Sequence, residues 1–166
     1  RGRVMLRPLL TEESVVPGLC CVNFEDALGE LVEALPKWRI TSEAKARILS
    51  QLIQREKLGT TAIGGGVALP HCFSTEITDP IGVFGVSPDG IPYPSLDGRP
   101  VHFVFMLVLP QSEAAEIIKR TILRSIRWIL CDRSLKEQLK MARSAIEILS
   151  VLKPRTAHEP VLGVGL

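Results

Sequence analysis

Apolar residues between Phe24 and Leu35 fall at Ala27, Leu28, Leu31, Val32 and Leu35, a three-and-four spacing that places them on one side of a helix. The same spacing returns from Thr41 to about Leu58, where Ile48, Leu49, Leu52 and Ile53 form the apolar stripe and Thr41 or Ser42 supplies the N-cap. Ala62 to Leu69 reads as a strand that is tight at its glycines. Ile81–Val86 and Val101–Leu109 are β-branched or aromatic runs, and the second is apolar enough for a buried strand. Between them, Ser87-Pro88-Asp89-Gly90 through Leu96-Asp97-Gly98 collects turn formers, so the two strands are expected to pair as an antiparallel hairpin with a long connection. Glu113–Leu130 predicts a long helix that buries Ile118, Ile122, Ile126, Ile129 and Leu130. Ser134–Glu137 and Ser144–Glu147 each match the capping-box pattern that opens a helix. Strands interleaved with helices predict an α/β fold, a three-layer domain around a mixed sheet, over residues 3–153. From Pro154 to the end, prolines and glycines predict a tail, 154–166.

Bulk properties narrow the class. At 166 residues the chain suits one domain with a real core, and 46% apolar against 23% charged residues excludes a disordered one. A net charge of +2 gives no footprint for nucleic acid. No apolar run approaches the roughly eighteen residues of a membrane span, and the N-terminus lacks the apolar core of a signal peptide. Beginning at an arginine, the chain is expected to be a processed or trimmed piece. Cys20, Cys21, Cys72 and Cys131 form neither a C-x-x-C pair nor a cluster with zinc-site spacing, so no metal is implied and a reduced, cytoplasmic setting is expected.

The chemistry concentrates at Ile63-Gly64-Gly65-Gly66-Val67-Ala68-Leu69-Pro70-His71. Gly64 and Gly66 permit backbone shapes and close approaches that a side chain would block, and Pro70 stiffens the approach to His71. An imidazole delivered this way can act as nucleophile or general base near neutral pH. A nucleotide-binding P-loop is excluded, because no Gly-Lys-Ser/Thr follows the glycines. His102 lies in the Val101–Leu109 run with parity opposite to Phe103 and Phe105. Arg120, Arg124 and Arg127 form a basic helix stripe that reads as a solvated face.

The run from Arg55 to His71 resembles the phosphorylation-site segment of the mannitol/fructose-type enzyme IIA domains of the sugar phosphotransferase system, which include the nitrogen-regulatory IIA proteins. The family pattern is an R-E pair, a short spacer, then G-T/S-x-I-G-x-G-x-A-x-P-H. Here Arg55-Glu56, Gly59-Thr60, Ile63-Gly64, Gly66, Ala68 and Pro70-His71 fill its positions, with one extra residue between Thr60 and Ile63, and the likeness extends from about Leu6 to about Leu152. It implies a five-stranded mixed sheet with helices on both faces, and a phosphoryl group carried on His71. It implies Arg55 as the charge partner, its planar fork suited to phosphate oxygens. Thr60 and Thr61 are candidate hydroxyl donors, and the backbone N–H groups around Gly64 to Gly66 and after His71 are candidate oxygen ligands. The implied partners are the histidine phosphocarrier protein as donor, and a transporter IIB domain or a regulatory target as acceptor; no cofactor is implied. Cys72 stands where the family often has glycine, and one further departure matters more, leaving open a degenerate, non-phosphorylated domain that keeps the fold and only binds partners. Many members carry a second histidine early in the helix after the proline-ended strand, and that position falls here on Lys119, which either brings a cation to the phosphate or joins the solvated arginine face.

Overall fold

The computed structural model describes residues 9–156. A short 3-10 turn, Glu12–Ser14, leads into β1 (Val15–Val16), followed by α1 (Phe24–Glu33) and α2 (Ser42–Leu58). The chain then forms β2 (Ala62–Gly64), β3 (Val67–Ala68), β4 (His71–Ser74), β5 (Ile81–Ile91) and β6 (Val101–Pro110). It closes with α3 (Ala115–Leu130), α4 (Arg133–Met141) and α5 (Ala145–Thr156).

One mixed sheet of six strands runs in the order β1-β5-β6-β3-β2, with β4 also on β6. β3 and β4 lie parallel to β6 along successive stretches, Val67–Ala68 beside Phe103–Val104 and His71–Ser74 beside Leu107–Pro110. They occupy one lane of the sheet, interrupted at Leu69-Pro70. The five expected strands are therefore five lanes, and the break that makes six falls where Pro70 has no N–H to give a ladder.

β6 is the centre of the domain. Phe103, Phe105, Leu107 and Leu109 enter one core with Ile122, Ile126, Ile129 and Leu130 of α3, Leu135 and Leu139 of α4, and Ile148, Leu149 and Leu152 of α5. Val104, Met106 and Val108 enter the other core with Leu28 and Leu31 of α1 and Ile48 and Leu52 of α2. The pleat alternates these side chains between two buried faces, so the strand reads as a continuous apolar run. Three layers result, with helices on both faces as expected.

Several local expectations hold and several shift. Thr41 caps α2, its Oγ1 accepting from the Ala44 N–H at 3.1 Å, and Ser144 Oγ accepts from the Glu147 N–H at 3.1 Å where α5 begins. Ser134 does not open α4. Asp132 does, its carboxylate accepting from the Leu135 N–H at 3.0 Å, which puts Ser134 inside the first turn. β5 does not stop at Val86 but continues to Ile91. The register advances from Val86 opposite Phe103 to Ile91 opposite Val101, so the strand absorbs Pro88 and Gly90 (φ 85°) in an irregular bulge. α3 starts two residues later than expected, and α5 continues past Pro154, where the tail was expected to begin. Residues 157–166 of that tail lie outside the described residues. Among the described residues no helix is long and apolar enough to cross a membrane.

Candidate functional site

The Arg55-Glu56 pair sits in the last turn of α2, and successive helical residues point about 100° apart. Arg55 is half-buried and folds over the helix end, its Nη1 donating to the Gly59 carbonyl at 2.9 Å. This pairs a cation with the negative end of the helix dipole. Glu56 turns inward and is buried. Its carboxylate accepts from the Thr61 N–H at 2.7 Å and from the Thr61 hydroxyl at 2.7–2.8 Å, fixing how the chain leaves the helix and enters β2. Tyr93 Oη is buried near Glu56 and Thr61 but outside hydrogen-bond geometry. Burial, with the Glu56 charge behind it, raises its proton affinity.

From β2 the chain turns back through Gly64, Gly65 and Gly66, all at positive φ (97°, 65° and 78°). It passes down β3, and Leu69-Pro70 delivers His71 as the first residue of β4, opposite Leu107. His71 is 8% exposed. Its Nδ1 lies 2.9 Å from the Leu69 carbonyl oxygen, and a carbonyl only accepts, so Nδ1 carries the proton. The Nε2 lone pair is left for an incoming electrophile. Burial is the main cause that pulls the imidazole below its ordinary pKa of 6.5. The Leu69 hydrogen bond opposes this, the positive charges of Arg55 and Lys119 add to it, and Glu56 opposes it. The ring is therefore kept neutral, which is its nucleophilic form.

Lys119 does not join the solvated face of Arg120, Arg124 and Arg127, all three of which are exposed. Its ammonium sits 5.6 Å from the centre of the Phe73 ring, two residues beyond His71, and 2.7 Å from the Glu116 carboxylate. That contact holds the Glu116 carboxyl below its usual range, with a smaller pull from Arg120. Of the residues singled out from the sequence, Arg55 and Lys119 are thus the two cations whose charge reaches His71.

The other candidates are placed differently. Thr60 donates its hydroxyl to the Pro94 carbonyl and accepts from the Ala62 N–H at 3.0 Å, while Thr61 gives its hydroxyl hydrogen to Glu56. Each hydroxyl has one hydrogen, so in this conformation neither offers a donor to a phosphoryl oxygen, and both act as braces. The glycine N–H groups are not oxygen ligands for His71 either. Val67 pairs with Phe103 and His71 with Leu107, about 13 Å apart along the strand, and the glycine turn lies beyond Val67. The Gly65 N–H is taken by Asp97 at 2.9 Å. Gly64 and Gly66 shape this turn, and Pro70 shapes the approach to His71. Cys72 is buried beside the site, and burial pushes its thiol up to about 12, which leaves it inert at neutral pH. Sequence reasoning gave no role to Glu56, Tyr93 or Glu116. The R-E pair was a visible signal for the first; nothing local marks the other two, which act across the fold.

With this geometry in place, comparison with known proteins is informative. Residues 8–154 match the family model for the phosphoenolpyruvate-dependent sugar phosphotransferase system, EIIA 2. The nitrogen regulatory protein of Bradyrhizobium diazoefficiens is 36% identical over 151 residues, covering 90% of this chain and 96% of the relative. The fructose-specific EIIABC component of Bacillus subtilis is 30% identical over 144 residues, 87% of this chain but only 22% of that longer protein. Among solved structures, nitrogen regulatory protein IIA-Ntr of Neisseria meningitidis superposes with a TM-score of 0.76 at 26% identity, over 87% of this chain and 96% of that one. The mannitol enzyme IIA of Escherichia coli, in complex with phosphorylated mannitol enzyme IIB, shares the fold with a TM-score of 0.69 at 22% identity, over 87% of this chain and 99% of that one. The chain belongs to the EIIA 2 family of the phosphoenolpyruvate-dependent sugar phosphotransferase system.

Proposed function

We propose that this chain is a phosphocarrier in which His71 Nε2 takes a phosphoryl group from the phosphohistidine of a donor protein and hands it to an acceptor protein. The observation that carries this reading is a buried neutral imidazole, its Nδ1–H held by the Leu69 carbonyl, with two cations, Arg55 and Lys119, close enough to perturb it. In the forward step the Nε2 lone pair attacks phosphorus in line. A P–N bond to His71 forms as the donor's P–N bond breaks, and a donor protonated on its other ring nitrogen leaves as neutral imidazole. His71 becomes a phosphoimidazolium whose Nδ1–H is still held by Leu69. Positioning and charge compensation carry such a transfer, since the phosphoryl group needs little further covalent help. Arg55 and Lys119 supply the compensation. Glu56, through Thr61, holds the segment that joins the two halves of the site.

The donor is the histidine phosphocarrier protein and the location is the cytoplasm, where phosphoenolpyruvate feeds the relay. Four free cysteines fit that compartment. Incubating the chain with phosphoenolpyruvate, enzyme I and the phosphocarrier protein should place an acid-labile phosphoryl group on it, and His71→Ala should abolish the label. Labelling that survives the substitution overturns the assignment.

The acceptor divides two readings. In one it is a transporter IIB domain, as in the mannitol complex; in the other the phosphorylation state governs binding to a regulatory target. The likeness to nitrogen regulatory proteins over nearly their full length favours the second, as does Lys119 in place of the histidine that many members carry. Transfer from the phosphorylated chain to a fructose or mannitol IIB domain, followed in a single turnover, separates them.

A further inference from the structure

Phosphoryl transfer at His71 leaves three features of this chain unused: the glycine turn, His102 and the cations of α4. All three line one cavity. It has a volume of about 490 Å³ and lies beyond the Val67 end of β3, away from His71. Its walls are the turn at Gly65 and Gly66, the segment carrying Arg99 and His102, and the α4 residues Arg133, Lys136, Glu137 and Lys140.

The charge is one-sided, with four cations facing one carboxylate, Glu137. Asp97 reaches the rim through its contact with Gly65, but its oxygens are already engaged by the Gly65 N–H, the Arg99 N–H and the Ser95 hydroxyl. Among the described residues, Arg99, Arg133 and Lys140 are in no ion pair. On α4, Arg133, Lys136 and Lys140 are spaced three and four apart, which brings them onto one stripe of the helix.

The walls are also braced. Lys136 Nζ donates to the Gly65 carbonyl at 3.0 Å and so ties α4 to the turn, and Gly66 O accepts from the His102 and Phe103 N–H groups at 2.8 and 2.9 Å. His102 donates through Nδ1 to the Ser87 carbonyl at 2.9 Å, which fixes its ring in the wall. A Cβ on Gly66 would come within 3.4 Å of that ring, so the turn and the histidine are fitted to each other. A concave site with walls of one sign focuses the field and concentrates counter-ions. Guanidinium forks on two walls select planar or tetrahedral oxyanions. The volume is in the range of small-molecule sites and far exceeds one phosphate group. An extended anion can engage Arg99 on one wall and Arg133 and Lys140 on another.

We infer that this cavity binds a small oligophosphate, two or three linked phosphate groups, either free or as the phosphate chain of a nucleotide. The site is separate from His71 and independent of its phosphorylation chemistry. The test is titration of the full chain with inorganic triphosphate, ATP, AMP and orthophosphate at physiological salt, by calorimetry and by amide chemical shifts.

Triphosphate or ATP should bind saturably, one per chain and about tenfold or more tighter than orthophosphate or AMP, with shifts centred on Gly65, Gly66, His102 and α4. Removing two charge-assisted contacts in Arg133→Gln/Lys140→Gln should weaken binding by tenfold or more. Arg120→Gln/Arg124→Gln removes the same charge from the exposed stripe of α3, and that variant and His71→Ala should bind within about twofold of the parent. ATP binding tighter than triphosphate assigns a nucleotide; equal affinities assign the phosphate chain alone. Non-saturating binding, equal loss in both double variants, or shifts centred on His71 would overturn the site. Lys136 is left intact because it braces the turn, and an unchanged amide spectrum of the free double variant shows that it folds.

Discussion

Replacing Arg55 by lysine is the sharpest test of the His71 site, because it keeps the charge and removes the fork. One of the five guanidinium donors is committed to the Gly59 carbonyl, and the others remain for a phosphoryl group on His71, whose proton affinity Arg55 already perturbs. Lysine can reproduce either the tether or the contact to the incoming group, but not both. The loss is one charge-assisted hydrogen bond in the transition state, about 1.5–3 kcal/mol, a drop in transfer rate of roughly tenfold to a hundredfold. Lys119 keeps the loss from being larger. The folded state should notice much less. The tether at Gly59 is solvent-exposed and contributes about 0.5–1 kcal/mol, which for a chain of this size moves Tm by only about 1–4 °C. Rapid-quench measurement of transfer from the phosphorylated donor gives the rate, and thermal unfolding gives the stability. A variant that transfers at the parent rate removes Arg55 from the site. One whose Tm falls by 10 °C or more makes it part of the scaffold.

His71 binds protons less readily folded than unfolded, so its contribution to stability is complete above pH 6.5 and declines as pH falls from 6.5 towards its lowered folded-state pKa. Denaturant titrations from pH 8 to 5 should show a stability slope that is reduced in His71→Gln; equal slopes refute the depressed pKa. Tyr93→Phe removes a buried hydroxyl that lacks a partner and should stabilise the protein by about 1 kcal/mol; destabilisation measured by urea unfolding would mean the hydroxyl is bonded to Glu56 or Thr61. Lys119→Gln removes one of the two cations whose charge reaches His71 and should slow its phosphorylation; an unchanged phosphorylation time course would rule out a direct role for position 119.

The elements that could be read from the sequence are those fixed by local pattern. The caps at Thr41 and Ser144, the stripe of α2 and the doubly buried run of β6 each announce themselves within a few residues. What escaped depends on partners distant in sequence. β1 is two residues long, too short for any period, and exists because β5 offers it an edge. Pro88 and Gly90 look like the end of a strand, yet β5 passes through them because a bulge carries the register across. Asp132 and Ser134 are both competent caps two residues apart, and only the packing of Leu135 and Leu139 decides between them. In the site, Arg55 and His71 were legible because a helix end and a stiff strand start hold them at fixed spacing. The commitments of Thr60 and Thr61 were not, since Pro94 is remote in sequence and Glu56 declares its inward turn only when α2 packs.

The position of Lys119 carries the remaining argument. A histidine there could donate or accept, whereas an ammonium only donates. Beside His71 it has one consistent effect: it opposes a proton on the imidazole and favours a phosphoryl dianion in the same space. Arg55 acts in the same sense from the other side of the sequence motif. The two cations therefore discriminate by sign of charge, disfavouring the inactive imidazolium and favouring the product of transfer. Glu116 holds Lys119 in the unphosphorylated state, so an incoming phosphoryl group must compete with a carboxylate for it. That competition is weak, because the pair is partly exposed and such pairs contribute little. Under the proposed function, the site would hold phosphate without being strongly reorganised by it, as a carrier that must also give the group away requires.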